Sequence, residues 1–212
     1  MKTHLSIVLA LFAAVPALAG AQKEEALSAS VATTMQRSIN DSYSPRLVFS
    51  DPNEGKAWLA EMSQRLQKKV PDAYMREKLL TAIHYEATRA GLDPQLVLGL
   101  VQVESGFRTY AISEASARGL MQVMPFWVRQ IGTPSHNLFD MYTNLRYGCT
   151  ILRHYLDIEQ GDLYRALGRY NGSLGQPEYP NMVLAAWKVQ WNWRPGQAKA
   201  VPVTAAATKP SM

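Results

Sequence analysis

The chain has little of what staples, spans or binds metal. Cys149 is its only cysteine, which excludes an intrachain disulfide and leaves no cysteine near the N-terminus to carry a lipid anchor. After the first two dozen residues no run approaches the roughly 20 consecutive apolar residues that cross a bilayer. The four histidines are scattered, without the spacing of metal ligands. Internal repeats and a convincing series of strands are also missing. The net charge of +5 comes without any run of basic residues, so it gives no electrostatic footprint for nucleic acid. What remains is an apolar content of 47% in 212 residues, enough for one cored domain with additional segments.

The start, "MKTHLSIVLALFAAVPALAGAQ", opens with Lys2 and runs apolar from Leu5 to Val15. It closes on small residues around Ala17 and Ala19, with Ala21 as a second cleavage point. This is the pattern of a secretory signal over residues 1–21, too short and wrongly flanked for a membrane span. Losing Lys2 with it brings the charge from +5 to +4. An exported basic protein meets anionic cell-wall polymer or membrane surface rather than nucleic acid. The expected location is the periplasm, in soluble form. Cys149, set between Gly148 and Ile151, reads as a small buried hydrophobe.

Residues 22–52 are polar and mixed, and the expectation is a partly disordered lead-in. Trp58, Leu59, Met62 and Leu66 then recur at helical spacing, predicting a helix over 53–69 that ends before Pro71. A second is predicted over 72–90, with Met75, Leu79, Ile83, Ala87 and Ala90 inward and Gly91 as its stop. Asp93 followed by Pro94 is a helix start, and Val97, Leu100, Val101 and Glu104 share the stripe that follows. Asp140 and Asp162 cap two further helices. A last one is predicted over 181–193 with Val183, Ala186, Trp187 and Gln190. From Pro195 the chain is small, Pro-rich and aperiodic, the composition of a disordered tail. The expectation is a mainly α, single-domain protein with a cleft and little or no β, its domain over 53–193 and its tail over 194–212.

Glu104 is the anomaly. An unpaired buried carboxylate is costly, so such a group neutralises, finds a partner or has a chemical task. Its apolar neighbours desolvate it, and its place at a helix C-terminus adds the repulsion of unsatisfied carbonyls. Both raise its pKa, and a carboxyl lifted to about 6 suits a general acid that then acts as base. The structural alternative is a Glu that merely accepts bonds from the nearby backbone or Ser105.

The residues that follow bear on that choice. "ES-G-F", then Ser113, then "ARGLMQVMP", and later "RYNGS", resemble in order and spacing the soluble lytic murein transglycosylases, over about residues 93–171. The resemblance implies a lysozyme-like fold and Glu104 as the single catalytic acid and base. It places Ser113 near the bound muramyl sugar and Gln122 and Met124 along the cleft. Tyr170 would point its hydroxyl toward Glu104, with Asn171 supporting that turn. Pro125 suits the first turn of a helix over 125–131, leaving "GLMQV" as an extended segment across a groove. Gln122 offers both donors and acceptors to sugar hydroxyl and acetamido groups, and the flexible thioether of Met124 fits an irregular sugar face. Met121 reads better as core. Trp127, Trp187, Trp191 and Trp193 read as core or tail anchors, and His84 and His154 as partly exposed helix residues.

Three departures mark a specialised branch. The family's "SP-x-GA" reads "SEASA", so Ser116 replaces a glycine and Glu114 a proline. "AYNAGPG" reads "RYNGSLG". The Asn-Pro after the "ESxF" block reads Arg108-Thr109. The resemblance implies cleavage between N-acetylmuramic acid and N-acetylglucosamine in peptidoglycan, the muramyl C6 hydroxyl closing a 1,6-anhydro ring, with no external nucleophile, metal or cofactor. Two alternatives stay open. One is a goose-lysozyme-like hydrolase with water as nucleophile, and the other is a catalytically silent wall-binding or secretion-assembly module. The expected partners are peptidoglycan glycan strands, with a cell-envelope secretion or pilus assembly as a further candidate.

Overall fold

The computed structural model describes residues 22–41 and 44–194; the expected signal over 1–21 and the tail from Pro195 lie outside them. Eight α-helices follow one another among the described residues: α1 (Ala29–Asn40), α2 (Pro52–Leu66), α3 (Ala73–Arg89), α4 (Pro94–Glu104), α5 (Phe126–Ile131), α6 (Met141–Ile158), α7 (Leu163–Asn171) and α8 (Glu178–Ala185). A π-helical segment, Ala186–Trp191, continues α8. The described residues contain no strand, only isolated bridges joining Ile112 to Arg118 and Arg118 to Val123.

Short acidic side chains set where the helices start. Asp51, Asp72, Asp93, Asp140 and Asp162 each accept a bond from a backbone N–H in the first turn of α2, α3, α4, α6 and α7. Such a cap contributes about 1 kcal/mol. At the other end of α7, Gly172 takes the left-handed conformation (φ 79°) that stops the helix.

α4 is the centre of the packing. Leu96, Val97, Leu98, Leu100 and Val101 are all buried, as in a helix enclosed nearly all round. It packs on α3, on α8 and on the π-helical segment. Gly99 makes the last contact possible: a Cβ there would lie 2.9 Å from the backbone nitrogen of Trp187. α6 lies against α1, α3 and α7. Its Gly148 leaves the space that Met121 fills, and Met121 is fully buried core, as read from sequence. Cys149 is buried as well, its thiol pushed well above the ordinary range by burial.

Within the lead-in expected over 22–52, α1 occupies residues 29–40, buries Met35 and Ile39, and packs on α5 and α6. Three expectations are corrected. Met75 points outward, 46% exposed. It falls in the first turn of α3, before Arg76, Leu79 and Leu80 begin the buried face. His84 is not partly exposed but buried, stacked on Phe49 and edge-on to Trp58. Finally, the predicted helix over 181–193 is α only to Ala185 and then widens. Across the widened turn Trp191 meets Phe107 and donates its indole N–H to Gln102.

Sequence did not reveal the buried ion pair that joins α3 to α6. Glu86 accepts from Arg146 at 2.9 Å and from Arg89 at 3.0 Å. Arg146 also reaches the carbonyl of Asp41, just beyond α1. Through Arg146 the fully buried Glu86 carboxylate thus ties α3 to α6 and to the residue after α1, and removing either member of the pair would strand a buried charge.

Candidate active site

Glu104 is the last residue of α4 and is 6% exposed. Its stripe puts it under the core, and the chain turns sharply right after it. Gly106 and Phe107 both take positive φ (58° and 69°), a conformation that costs a bulky residue such as Phe107 about 1–2 kcal/mol. Phe107 is held in it by burial and by the edge of Trp191. Ser105 closes the turn by donating to Val101 O and accepting from Phe107 N–H. Ser105 therefore serves the backbone rather than Glu104.

The partner of Glu104 comes from far along the chain. The Tyr179 hydroxyl, in the first turn of α8, donates to Oε1 of Glu104 at 2.5 Å. Burial pushes the Glu104 carboxyl up from 4.5 to about 8, and the Tyr179 bond offsets part of that rise. The rise exceeds the value near 6 expected from helix position, because the Glu104 carboxyl is buried more completely than its place at a helix end suggests. Among the described residues, burial and the Tyr179 bond are the causes of the shift. At neutral pH the group is a neutral acid whose Oε1 accepts from Tyr179.

Tyr170 lies near enough to Glu104 for that group's charge to act on it. It is fully buried on α7, and its hydroxyl donates to Met121 O at 2.7 Å. It therefore supports the loop rather than meeting Glu104 in a hydrogen bond. Asn171, beside it, is buried at the end of α7. Tyr179 lay outside the motif that drew attention to Tyr170, and the "EYP" around it carries no local sign of a carboxylate partner.

The segment "GLMQV" is not extended but forms a tight turn. Gly119 and Gln122 sit at φ 75° and 48°. Arg118 and Val123 exchange backbone bonds across it at 3.0 and 2.9 Å. Gln122 donates its amide to Gly119 O and Ala111 O, so its nitrogen is engaged within the loop. Asn144 of α6, unnoticed in the sequence, organises the other side. Its Oδ1 accepts from Met121 N–H, and its Nδ2 donates to Arg118 O and Leu138 O. Met124, half-buried, packs against the core just after the turn.

Ser113 Oγ accepts from Ala117 N–H at 3.1 Å, closing the loop that holds the "SEASA" departure. Ser116 takes φ 68° there, the left-handed conformation for which glycine is the unstrained residue. Arg108 donates from Nε to Ser105 O, so this departure ties the loop back to the end of α4.

Comparison with known proteins finds transglycosylases. Residues 81–179 match the transglycosylase SLT domain model, a span that includes Glu104, Gln122, Tyr170 and Tyr179. The chain is 39% identical over 88 residues to a transglycosylase of Enterobacteria phage PRD1, covering 42% of this chain and 32% of that protein. It is 42% identical over 84 residues to a membrane-bound lytic murein transglycosylase C of Mannheimia succiniciproducens, covering 35% and 24%. A protein of the same name from Haemophilus influenzae is 41% identical over 93 residues, covering 38% and 26%. The chain thus spans 24–32% of the length of these relatives. A solved structure of the lytic transglycosylase Slt from Pseudomonas aeruginosa aligns with a TM-score of 0.41 at 23% identity, over 50% of this chain and 20% of that one. The chain thus carries a match to the transglycosylase SLT domain over residues 81–179, just under half of its length, and over the same region is similar to lytic murein transglycosylases.

Proposed function

We propose that this protein cleaves the β-1,4 bond between N-acetylmuramic acid and N-acetylglucosamine in peptidoglycan, with Glu104 as the single acid and base. The observation that carries this reading is a buried carboxyl at the end of α4 whose only hydrogen-bonding neighbour among the described residues is the Tyr179 hydroxyl; its burial raises the pKa to about 8. Glu104 gives its proton to the bridging oxygen as the glycosidic bond breaks. The carboxylate so formed then removes the proton of the muramyl C6 hydroxyl, which closes on its own anomeric carbon as a 1,6-anhydro ring. The proton returns to Glu104, and no water is consumed. A raised pKa serves both halves, since an acid near its pKa at the working pH can give and take a proton at low cost.

Tyr179 fixes the orientation of Oε1 and supports the carboxylate during the moment it exists. Gln122, Ser113 and Met124 shape the wall on which the sugar rests, with Tyr170 and Asn171 behind it. A two-carboxylate hydrolase needs a second acid about 5–9.5 Å from the first, whereas the route through the C6 hydroxyl needs Glu104 alone. The expected setting is the periplasm, reached by way of the N-terminal signal. The test is solubilisation of purified peptidoglycan. The wild-type chain should release soluble fragments, and Glu104→Gln, nearly isosteric and unable to transfer a proton, should lose activity by orders of magnitude. Release at the wild-type rate by Glu104→Gln would overturn the assignment.

A further inference from the structure

The end of α2 and the residues after α8 enclose a cavity of about 710 Å³. Its lining brings Arg65, Lys68 and Lys69 together with Lys188 and Arg194, against the single carboxylate of Glu61. Glu61 is already paired with Arg65 at 2.7 Å. Arg65 also donates to the carbonyls of Gln190 and Asn192, so it holds the two walls together. Four cations are left over, all of them exposed. Amides of Gln64, Gln102, Gln190 and Asn192 and the indoles of Trp191 and Trp193 complete the lining.

A concave site combining uncompensated positive charge, amide donors and acceptors, and aromatic edges suits a short acidic peptide. Such a site draws its ligand through charge and fixes it through the amides. It also shares a wall with the candidate active site. Trp191 bonds to Gln102, two residues before Glu104, and packs on Phe107, three residues after it.

We propose that this groove binds the carboxylates of the peptide stems borne by the glycan strand, so that the chain favours stem-bearing over bare glycan. The proposal rests on the peptidoglycan reading above. A bound stem would place its sugar toward Glu104, through a wall common to both sites.

The experiment uses the full chain and the triple variant Lys68→Gln, Lys69→Gln, Lys188→Gln, none of which belongs to the Glu104 machinery. The free tripeptide L-Ala-γ-D-Glu-meso-diaminopimelate is titrated into the isotope-labelled protein, and the indole signals of Trp191 and Trp193 are followed by NMR. The wild type should show saturable shifts that weaken with salt. The triple variant should bind about tenfold more weakly, and Lys→Arg at the same three positions should restore binding. On stem-bearing peptidoglycan the triple variant should show KM raised by a similar factor with kcat unchanged, and on amidase-stripped glycan no change. Equal binding by wild type and triple variant, or no tripeptide binding alongside firm binding to anionic phosphatidylglycerol vesicles, would overturn the proposal. If neither glycan is cut by the wild type, the peptidoglycan reading falls, and the titration still decides the groove.

Discussion

Tyr179 and Glu104 stand 75 residues apart in sequence and 2.5 Å apart in space. Their bond is the point where α8 meets the end of α4, and the chemistry proposed above depends on it. The bond lowers the pKa of Glu104 against the larger rise from burial. Tyr179→Phe should therefore raise that pKa further. The alkaline limb of the activity profile, where the acid is lost, should move to higher pH. The rate should fall about 10- to 100-fold as the carboxylate loses its donor. Tyr170→Phe should leave the limb largely in place, because the Tyr170 hydroxyl bonds to Met121 O rather than to Glu104. A pH–rate profile of each variant on purified peptidoglycan checks both.

The same pKa has a cost in stability. Glu104 binds its proton more tightly folded than unfolded, so its contribution is most favourable below about pH 4.5 and is lost progressively as pH rises toward about 8. The full gap corresponds to about 4–5 kcal/mol. Glu104→Gln should match the wild type in urea unfolding at pH 4.5 and exceed it by several kcal/mol at pH 8.5. An equal difference at both pH values would contradict a buried, titrating acid.

His84 acts in the opposite direction. Burial lowers its pKa from 6.5 to about 4, so the folded state disfavours the imidazolium. Its contribution is present above pH 6.5 and is lost as pH falls through that window, by about 3 kcal/mol at most. Replacing it by leucine should cost stability at pH 7, through the lost stacking on Phe49 and Trp58. It should also flatten the acid side of the stability curve. Thermal unfolding of both proteins from pH 4 to pH 7 measures the difference.

How much of this was legible in the sequence depended on distance along the chain. Helix starts were readable because Asp93, Asp140 and Asp162 act on backbone only two or three residues away. Glu104 was readable because its neighbours Val97, Leu100 and Val101 announce burial within two turns. α1 was missed since its composition is polar. Yet Leu27, Val31, Met35 and Ile39 recur every four residues, and Ser28 caps the helix; that spacing could have found it. The "GLMQV" turn was read as extended because nothing in a glutamine marks a left-handed backbone. Tyr179 and the cationic groove were out of reach for a different reason. Each joins residues more than 70 positions apart, and only packing brings them together.

The central claim is that the nucleophile belongs to the substrate. Purified peptidoglycan should be digested in water enriched in heavy oxygen and the soluble fragments weighed by mass spectrometry. The account predicts fragments ending in 1,6-anhydro-N-acetylmuramic acid, lighter by one water than hydrolytic products and free of the label. Reducing-end fragments carrying heavy oxygen as the main product would contradict it, and would make Glu104 the acid of a hydrolase that takes its nucleophile from solvent.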